Sequence, residues 1–368
     1  MKILAVTNMY PSAERPGNGV FVEQQVKGLL SRGMDVRMMF LDRRSQGPSV
    51  YYRIKEKLEH ELADFRPDVV HAMYGGVMAD RVTKLRERPP TVVTFHGSDL
   101  LGENLSGLRR KLISRYGVHC SRKAARRAQG VIVVARHLIR ALGKGINPDK
   151  IQVIPCGIDL QRFKPMEQSR CQERLGWRRD VFHVLFATGA GDPVKRPELA
   201  RAAVAGLEEG RKVEFHLMAG VPNSEVPVWL NASDVLLLTS KHEGSPTIVK
   251  EALACDLPIV SVNVGDVAER IEGMDGCHLA EAEPGALARK LELVFERRRR
   301  LDCRENLHEL SCETVAGKLE NFYQEIIRGC TTAQVRPAGT GENVKKPRQT
   351  VETVEEPTAR IHPAKAGC

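Results

Sequence analysis

Short apolar runs alternate with amphipathic stretches along most of the chain. KILAVT (2–7), VRMMFL (36–41), DVVHA (68–72), TVVTF (91–95), GVIVV (130–134) and IQVIP (151–155) are near-continuous in apolar character, as strands covered on both faces are. The segments between them, FVEQQVKGLLSR, YYRIKEKLEHELADF and GVMADRVTKLRER, have helical spacing and read as crossovers between parallel strands. The pattern lapses over 156–180 and then restarts. FHVLFAT (182–188), KVEFHLMA (212–219), DVLLLTS (234–240), PIVSVN (258–263) and CHLA (277–280) form a second strand set, with helices expected over 197–208, 224–232, 247–255 and 284–300. The expected fold class is α/β: two doubly wound, Rossmann-like domains, 1–155 and 181–310, joined by a linker at 156–180. In such sheets ligands sit beyond the carboxyl ends of the strands, so two of them facing each other make a cleft. Residues 311–327 carry Val315, Leu319, Phe322 and Ile326 at helical spacing, and 328–368, rich in Pro, Gly, Thr and charge, is expected to be disordered.

Composition sharpens this picture only in places. The 368 residues exceed what one compact core fills, which agrees with two domains. No run approaches the ~18 apolar residues of a spanning helix, and MKILAVTNMYP reads as a strand rather than a secretory signal, so a cytoplasmic protein is expected. The nine cysteines are scattered without a Cys-x-x-Cys pair and read as reduced thiols. A net charge of +10 favours polyanionic partners: nucleotide phosphates, nucleic acid or an anionic membrane face. Residues 108–128 hold Arg109, Arg110, Lys111, Arg115, Arg122, Lys123, Arg126 and Arg127 without an acid, which suits either a solvated helix face or docking on anionic headgroups. Nucleic acid is disfavoured, because these cations lack interleaved aromatics and no reader motif occurs.

The most informative stretch is SKHEGSPTIVKEALACDLPIVS (240–261). A strand ending at Ser240 releases the chain at the cleft, and Ser245-Pro246 is a helix start, serine as cap and proline at the first helical position. The free amides of Thr247, Ile248 and Val249 then form an anion site of the kind that binds phosphate. Glu243 precedes this helix start and Glu251 lies on its flank, both placed to accept hydrogen bonds from hydroxyl groups; spacing alone also allows Glu251 to lie beside Lys250 on a wet face. Gly17 and Gly19 precede the first helix, where a backbone without Cβ lets a phosphate or acceptor approach closely. Neither this stretch nor TGAGDPV completes a Gly-x-Gly-x-x-Gly dinucleotide fingerprint. No Asp-x-Asp and no His/Cys/Asp set at ligand spacing is present, so no metal and no cofactor is expected.

The Glu-x7-Glu frame in EGSPTIVKEALACDLPIVS resembles the nucleotide-sugar signature of retaining glycosyltransferases of the GT-B fold, family four. MKILAVTNMYP, GNGVFVEQQ, PDVVHAMYG, TFHGSD, VIPCGIDLQRF and PVKRPELA follow in the family's order, so the likeness spans 1 to about 327. The nearest subgroup includes transferases of teichuronic acid and other bacterial surface polysaccharides.

The resemblance implies that Glu251 binds ribose hydroxyls and Glu243 those of the transferred sugar, with Ser245 and Thr247 at the sugar and phosphate. It implies that Lys195 neutralises the diphosphate leaving group, the kind of electrostatic term that dominates many catalysed reactions. The family's arginine five residues before that lysine is Ala190 here, and Arg196 is the candidate substitute. His96 is implied to contact the transferred sugar, and Asp99 to orient it or bind acceptor. His71 suits packing as well as function, and Asp159 reads as structural. The partners implied are a nucleotide sugar and a glycan or lipid-linked acceptor. The terminal helix resembles the one that crosses back to the first domain in this fold. Two rivals remain at this point: an epimerase or hydrolase on the same fold, and a degenerate transferase that binds donor without turnover, supported by Ala190.

Overall fold

The structure, a computed structural model, describes residues 1–335 except 13, 14, 16, 86, 87, 103–106, 189–192, 208 and 209. Two parallel sheets form its frame. The first comprises β1 (Lys2–Thr7), β2 (Asp35–Phe40), β3 (Val69–Ala72), β4 (Thr91–Phe95), β5 (Gly130–Val133) and β6 (Ile151–Val153), in the order β2-β1-β3-β4-β5-β6. The second comprises β7 (Phe182–Ala187), β8 (Val213–Met218), β9 (Val235–Leu238), β10 (Ile259–Val262) and β11 (His278–Ala280), in the order β11-β10-β9-β7-β8. β3, β4, β5, β9 and β10 are buried along their whole length, whereas the edges β2, β6, β8 and β11 are partly exposed. That difference is why the interior strands were legible as plain apolar runs.

Each sheet reverses its winding beside its first strand: β1 lies between β2 and β3, and β7 between β8 and β9. Such switch points open a crevice at the carboxyl ends of the strands. In the second sheet the loops that leave β7 and β9 carry Lys195 and Glu243.

The linker is not featureless. It holds a helix, Gln168–Leu175, that buries Cys171 and Gln172 and packs with the helix Val226–Ala232. Its apolar face is too small for periodicity to reveal. Asp159 accepts the amides of Gln161 and Arg162 and shapes the linker's first turn.

The terminal helix runs Cys312–Val335, eight residues beyond the expected end, and the expected tail from 336 onward lies outside the described residues. Val315, Leu319, Phe322 and Tyr323 pack among Ile3, Leu29, Val69, Val92 and Ile132 of the first domain. The Tyr323 hydroxyl meets His71 Nδ1 at 2.7 Å, and His71 Nε2 meets Thr94 at 2.7 Å, so His71 is a buried clasp for this helix. The two chain crossings lie side by side: Ile158 donates to Leu310 O, and Cys312 donates back to Ile158 O. A Cβ on Gly157 would sit 2.9 Å from Cys312 Cα, so the crossing is closed tightly by glycine.

Candidate active site

The helix after β9 runs Thr247–Ala254, with Pro246 rather than Ser245 at the capping position. Ser245 does not cap it; its hydroxyl donates to Asp266 at 2.8 Å, and Asp266 also accepts from Arg270 at 2.8 Å. The amide of Val249 is taken by Pro246 O, which removes it from the three expected anion donors. The amides of Thr247 and Ile248 precede the helix's internal bonds and keep the dipole's positive end turned outward.

Glu251 is 8% exposed, and its carboxylate has no hydrogen-bond partner among the described residues. Burial pushes its pKa up to about 7, while the charges of Lys250 and Arg162 pull it back. A wet helix face is thereby excluded. Its oxygens keep a narrow contact with solvent, so the largely desolvated carboxylate is open to hydroxyl groups that would donate to it.

Lys195 and Glu243 come together as an ion pair at 2.5 Å, with side chains 21% and 15% exposed. The chain around Lys195 is stitched to the exit of β9: Thr239 donates to the carbonyls of Lys195 and Arg196, and Lys241 donates to Val194 O. Arg196 adopts φ 54° at the start of the helix Pro197–Ala205. Its guanidinium donates to Thr239 O at 2.5 Å and Ser240 O at 3.2 Å, so it braces the loop instead of pointing a free fork at the cleft. Ala190 lies outside the described residues.

From the first domain, His96 enters at the end of β4. Its Nε2 lies 3.0 Å from Met73 O, an acceptor only, so Nε2 carries the proton and Nδ1 faces the Cys156 thiol at 3.6 Å. Burial, reinforced by the charge of Lys250, holds its pKa down at about 3, and His96 stays neutral. Phe21, one residue into the first helix, lies against its ring with centroids 4.3 Å apart. The Asp99 carboxylate accepts the backbone amides of Gly75, His96 and Gly97 at 2.9–3.2 Å, which ties together the turn after β4, and burial lifts its pKa to about 6 against those bonds. Gly19 has φ 71°, and a Cβ there would sit 2.5 Å from Met9 C, so glycine is required for contact with the chain's own backbone.

The two halves meet backbone to backbone. A Cβ on Gly244 would lie 1.9 Å from His96 O, and one on Gly97 would lie 2.9 Å from Gly244 Cα. Lys250 adds a polar link that sequence reasoning missed. It is 0% exposed, and its ammonium donates to Cys156 O at 2.9 Å and Ser245 Oγ at 3.2 Å. His96, Cys156, Lys250, Ser245 and Asp266 therefore form one polar chain from the first domain, through the linker, to the helix Thr247–Ala254 and its start. A lysine one residue before Glu251 was the only signal of it.

With this geometry in hand, the comparisons with known proteins decide the family. The profile described as Glycosyltransferase Family 4 matches residues 17–162, and that described as Glycosyl transferases group 1 matches 174–297. The chain is a family 4, group 1 glycosyltransferase. This glycosyltransferase is 28% identical over 337 residues to TuaC of Bacillus subtilis, named for teichuronic acid biosynthesis, covering 73% of this chain and 82% of that one. It is 25% identical to a D-inositol 3-phosphate glycosyltransferase of Paenarthrobacter aurescens, over 78% of this chain and 77% of the relative. Among solved structures, the sucrose-phosphate synthase of Thermosynechococcus elongatus superposes with a TM-score of 0.75 at 17% identity, covering 89% of this chain and all of that one. Anabaena HepE, solved with UDP and glucose, superposes with a TM-score of 0.61 at 17% identity, over 90% of this chain and all of that one. These likenesses establish the two-domain GT-B fold of the transferase.

Two further features of the glycosyltransferase lie away from the cleft. The basic segment is a helix, Leu108–Arg127, on which Leu108, Leu112, Ile113 and Tyr116 are exposed among the arginines. No helix among the described residues is long and apolar enough to cross a membrane. The fold also gathers His183, Glu214 and His216, a set invisible to linear ligand spacing.

Proposed function

We propose that the protein is a retaining transferase that moves a hexose from a nucleoside-diphosphate sugar to a glycan or lipid-linked acceptor in surface polysaccharide synthesis. The observation that carries this reading is the largely buried carboxylate of Glu251, which accepts no hydrogen bond from the described residues, beside the helix start at Thr247 and Ile248. The ribose hydroxyls would donate to Glu251, and the phosphates would take the amides of Thr247 and Ile248. The Lys195 ammonium, already held by Glu243, would swing to the leaving diphosphate, and Glu243 would then accept from the sugar hydroxyls. Charge developing on the diphosphate would meet the helix-start amides, already in place, and the ammonium that donor binding brings to it. A phosphate oxygen of the leaving group would take the proton of the attacking acceptor hydroxyl, so the step uses no side-chain nucleophile and no metal. HepE, solved with UDP and glucose, and TuaC, named for teichuronic acid biosynthesis, support the donor and acceptor classes.

His96 would contribute through shape and neutral polarity, because both of its ring nitrogens are engaged within the protein. The helix Leu108–Arg127 would rest on the anionic face of a membrane, its exposed apolar side chains entering the interface and each nearby cation adding about 1 kcal/mol. Flotation with phosphatidylglycerol vesicles tests this: binding should weaken with salt and vanish when Leu112 and Ile113 become aspartate.

One observation favours the second reading, a degenerate donor-binding protein: Arg196 is occupied by carbonyls and does not replace the family's arginine. A panel of UDP-, GDP- and ADP-sugars decides between them. A thermal shift with slow hydrolysis of one donor, the sugar released or transferred with its anomeric configuration kept, supports the transferase. A shift without turnover in the presence of lipid-linked acceptor supports the degenerate form, and no shift with any donor defeats both.

A further inference from the structure

We infer that His183, Glu214 and His216 form a binding site for a divalent transition-metal ion such as zinc, structural in role and separate from the donor site. The convergence follows from strand geometry. His183 on β7 is the register partner of Glu214 on the edge strand β8, and His216 lies two residues further along β8, so all three side chains share one face. His183 Nδ1 lies 2.8 Å from His216 Nε2 and 3.7 Å from a Glu214 carboxylate oxygen, which is 3.6 Å from His216 Nε2. A triangle with these edges admits a point roughly 2.0–2.1 Å from all three atoms, the bond length zinc makes to nitrogen and oxygen.

The surroundings favour a ligand set over a chance meeting. His183 Nε2 lies 2.7 Å from the carbonyl of Arg178, which only accepts, so the proton sits on Nε2 and the Nδ1 lone pair faces the cluster. That is the arrangement by which an imidazole is oriented for a metal by a carbonyl on its far nitrogen. Trp177 stacks on the His216 ring with centroids 3.5 Å apart and lies edge-on to Trp229, fixing the ring's plane. His183 is fully buried, whereas the Glu214 side chain is 37% exposed, which leaves an entry path and a vacant coordination position toward solvent. The nearby cations Arg178 and Lys212 are both paired with Asp180. Two imidazoles and one carboxylate select zinc, cobalt, nickel or ferrous iron over magnesium and calcium, which take oxygen ligands.

Without an ion, the His216 Nε2–H donates to His183 Nδ1. Binding shifts the His216 proton from Nε2 to Nδ1 by exchange with solvent, so both imidazoles stay neutral and a metal–nitrogen bond forms at each. His183 and Glu214 are the second residues of their strands, so the site lies toward the end of the sheet opposite Lys195 and Glu243. An ion there would tie the edge strand β8 and the linker's Trp177 to the body of the second domain.

Titration of the purified full chain with zinc chloride alone tests the site. One ion should bind with little net proton release, so the binding heat should be nearly independent of the buffer, whereas coordination by cysteine thiols would release protons. A hundredfold excess over Kd should raise the melting temperature by roughly 5–10 °C. Cobalt should give the visible bands of a nitrogen–oxygen site without the near-ultraviolet thiolate band that the chain's cysteines would produce. His216→Ala, and the surface variant Glu214→Gln in case the first does not fold, should each weaken binding by at least ~10-fold. The inference fails if Glu214→Gln binds zinc as wild type does, or if the cobalt spectrum shows thiolate.

Discussion

Replacing Lys250 with methionine keeps the volume of a fully buried side chain and removes its ammonium. The lost bonds are those to Cys156 O at 2.9 Å and Ser245 Oγ at 3.2 Å. Hydrogen bonds from a charged donor contribute about 1.5–3 kcal/mol each, and the longer one belongs at the low end, so about 4 kcal/mol of interaction disappears. Part returns, because methionine no longer buries a charge and Asp266 keeps Ser245 and Arg270. The expected net loss is about 2 kcal/mol, or roughly 4–8 °C in melting temperature for domains of this size. Because Cys156 belongs to the linker and also faces His96, the variant should lose donor turnover beyond its loss of stability. Thermal unfolding and donor hydrolysis measure the two effects. A cycle with Ser245→Ala should give a coupling of at least ~0.5 kcal/mol. A variant that melts and turns over like wild type, with no coupling to Ser245, would refute the link between the domains.

Three other outcomes follow from Gly244 and Glu251. Gly244→Ala puts a Cβ 1.9 Å from the backbone oxygen of His96, so the domains cannot meet as they do; turnover should fall by at least ~100-fold while the melting temperature moves little, which steady-state kinetics and calorimetry check together. Glu251 holds its proton in the folded state up to about pH 7, whereas its ordinary value is 4.5. Between those values the folded chain binds the extra proton, so stability from this group is full below about pH 4.5 and is lost as pH rises through 7; Glu251→Gln should flatten that slope in urea melts. Affinity for an intact nucleotide sugar should rise over the same range, as the carboxylate that accepts the hydroxyls ionises.

Much of the frame was legible because parallel strands buried on both faces leave unbroken apolar runs, and because Ser-Pro after such a run marks a helix start. The edge strands were legible for their apolar core-side residues, although β2, β6, β8 and β11 are partly exposed. Glu243, Glu251, Lys195 and His96 could be assigned to the cleft because each follows a strand's carboxyl end. What stayed hidden depends on distant partners. Ser245 looks like a cap until Asp266, 21 residues on, takes its hydroxyl. Lys250 looks like a surface residue until Cys156, 94 residues upstream, supplies a carbonyl. Arg196 looks like a spare cation until the exit of β9 occupies it. The His183, Glu214 and His216 set needs the β7–β8 register, which no linear spacing encodes.

The direct test of the account is calorimetric titration of wild type and Glu251→Ala with the nucleotide sugar that the donor panel selects. A carboxylate that accepts two ribose hydroxyls should cost the variant about 2–4 kcal/mol of binding, a weakening of roughly 30- to 1000-fold, while circular dichroism shows an unchanged fold. Equal affinity in the two proteins would contradict the claim that Glu251 receives the nucleotide.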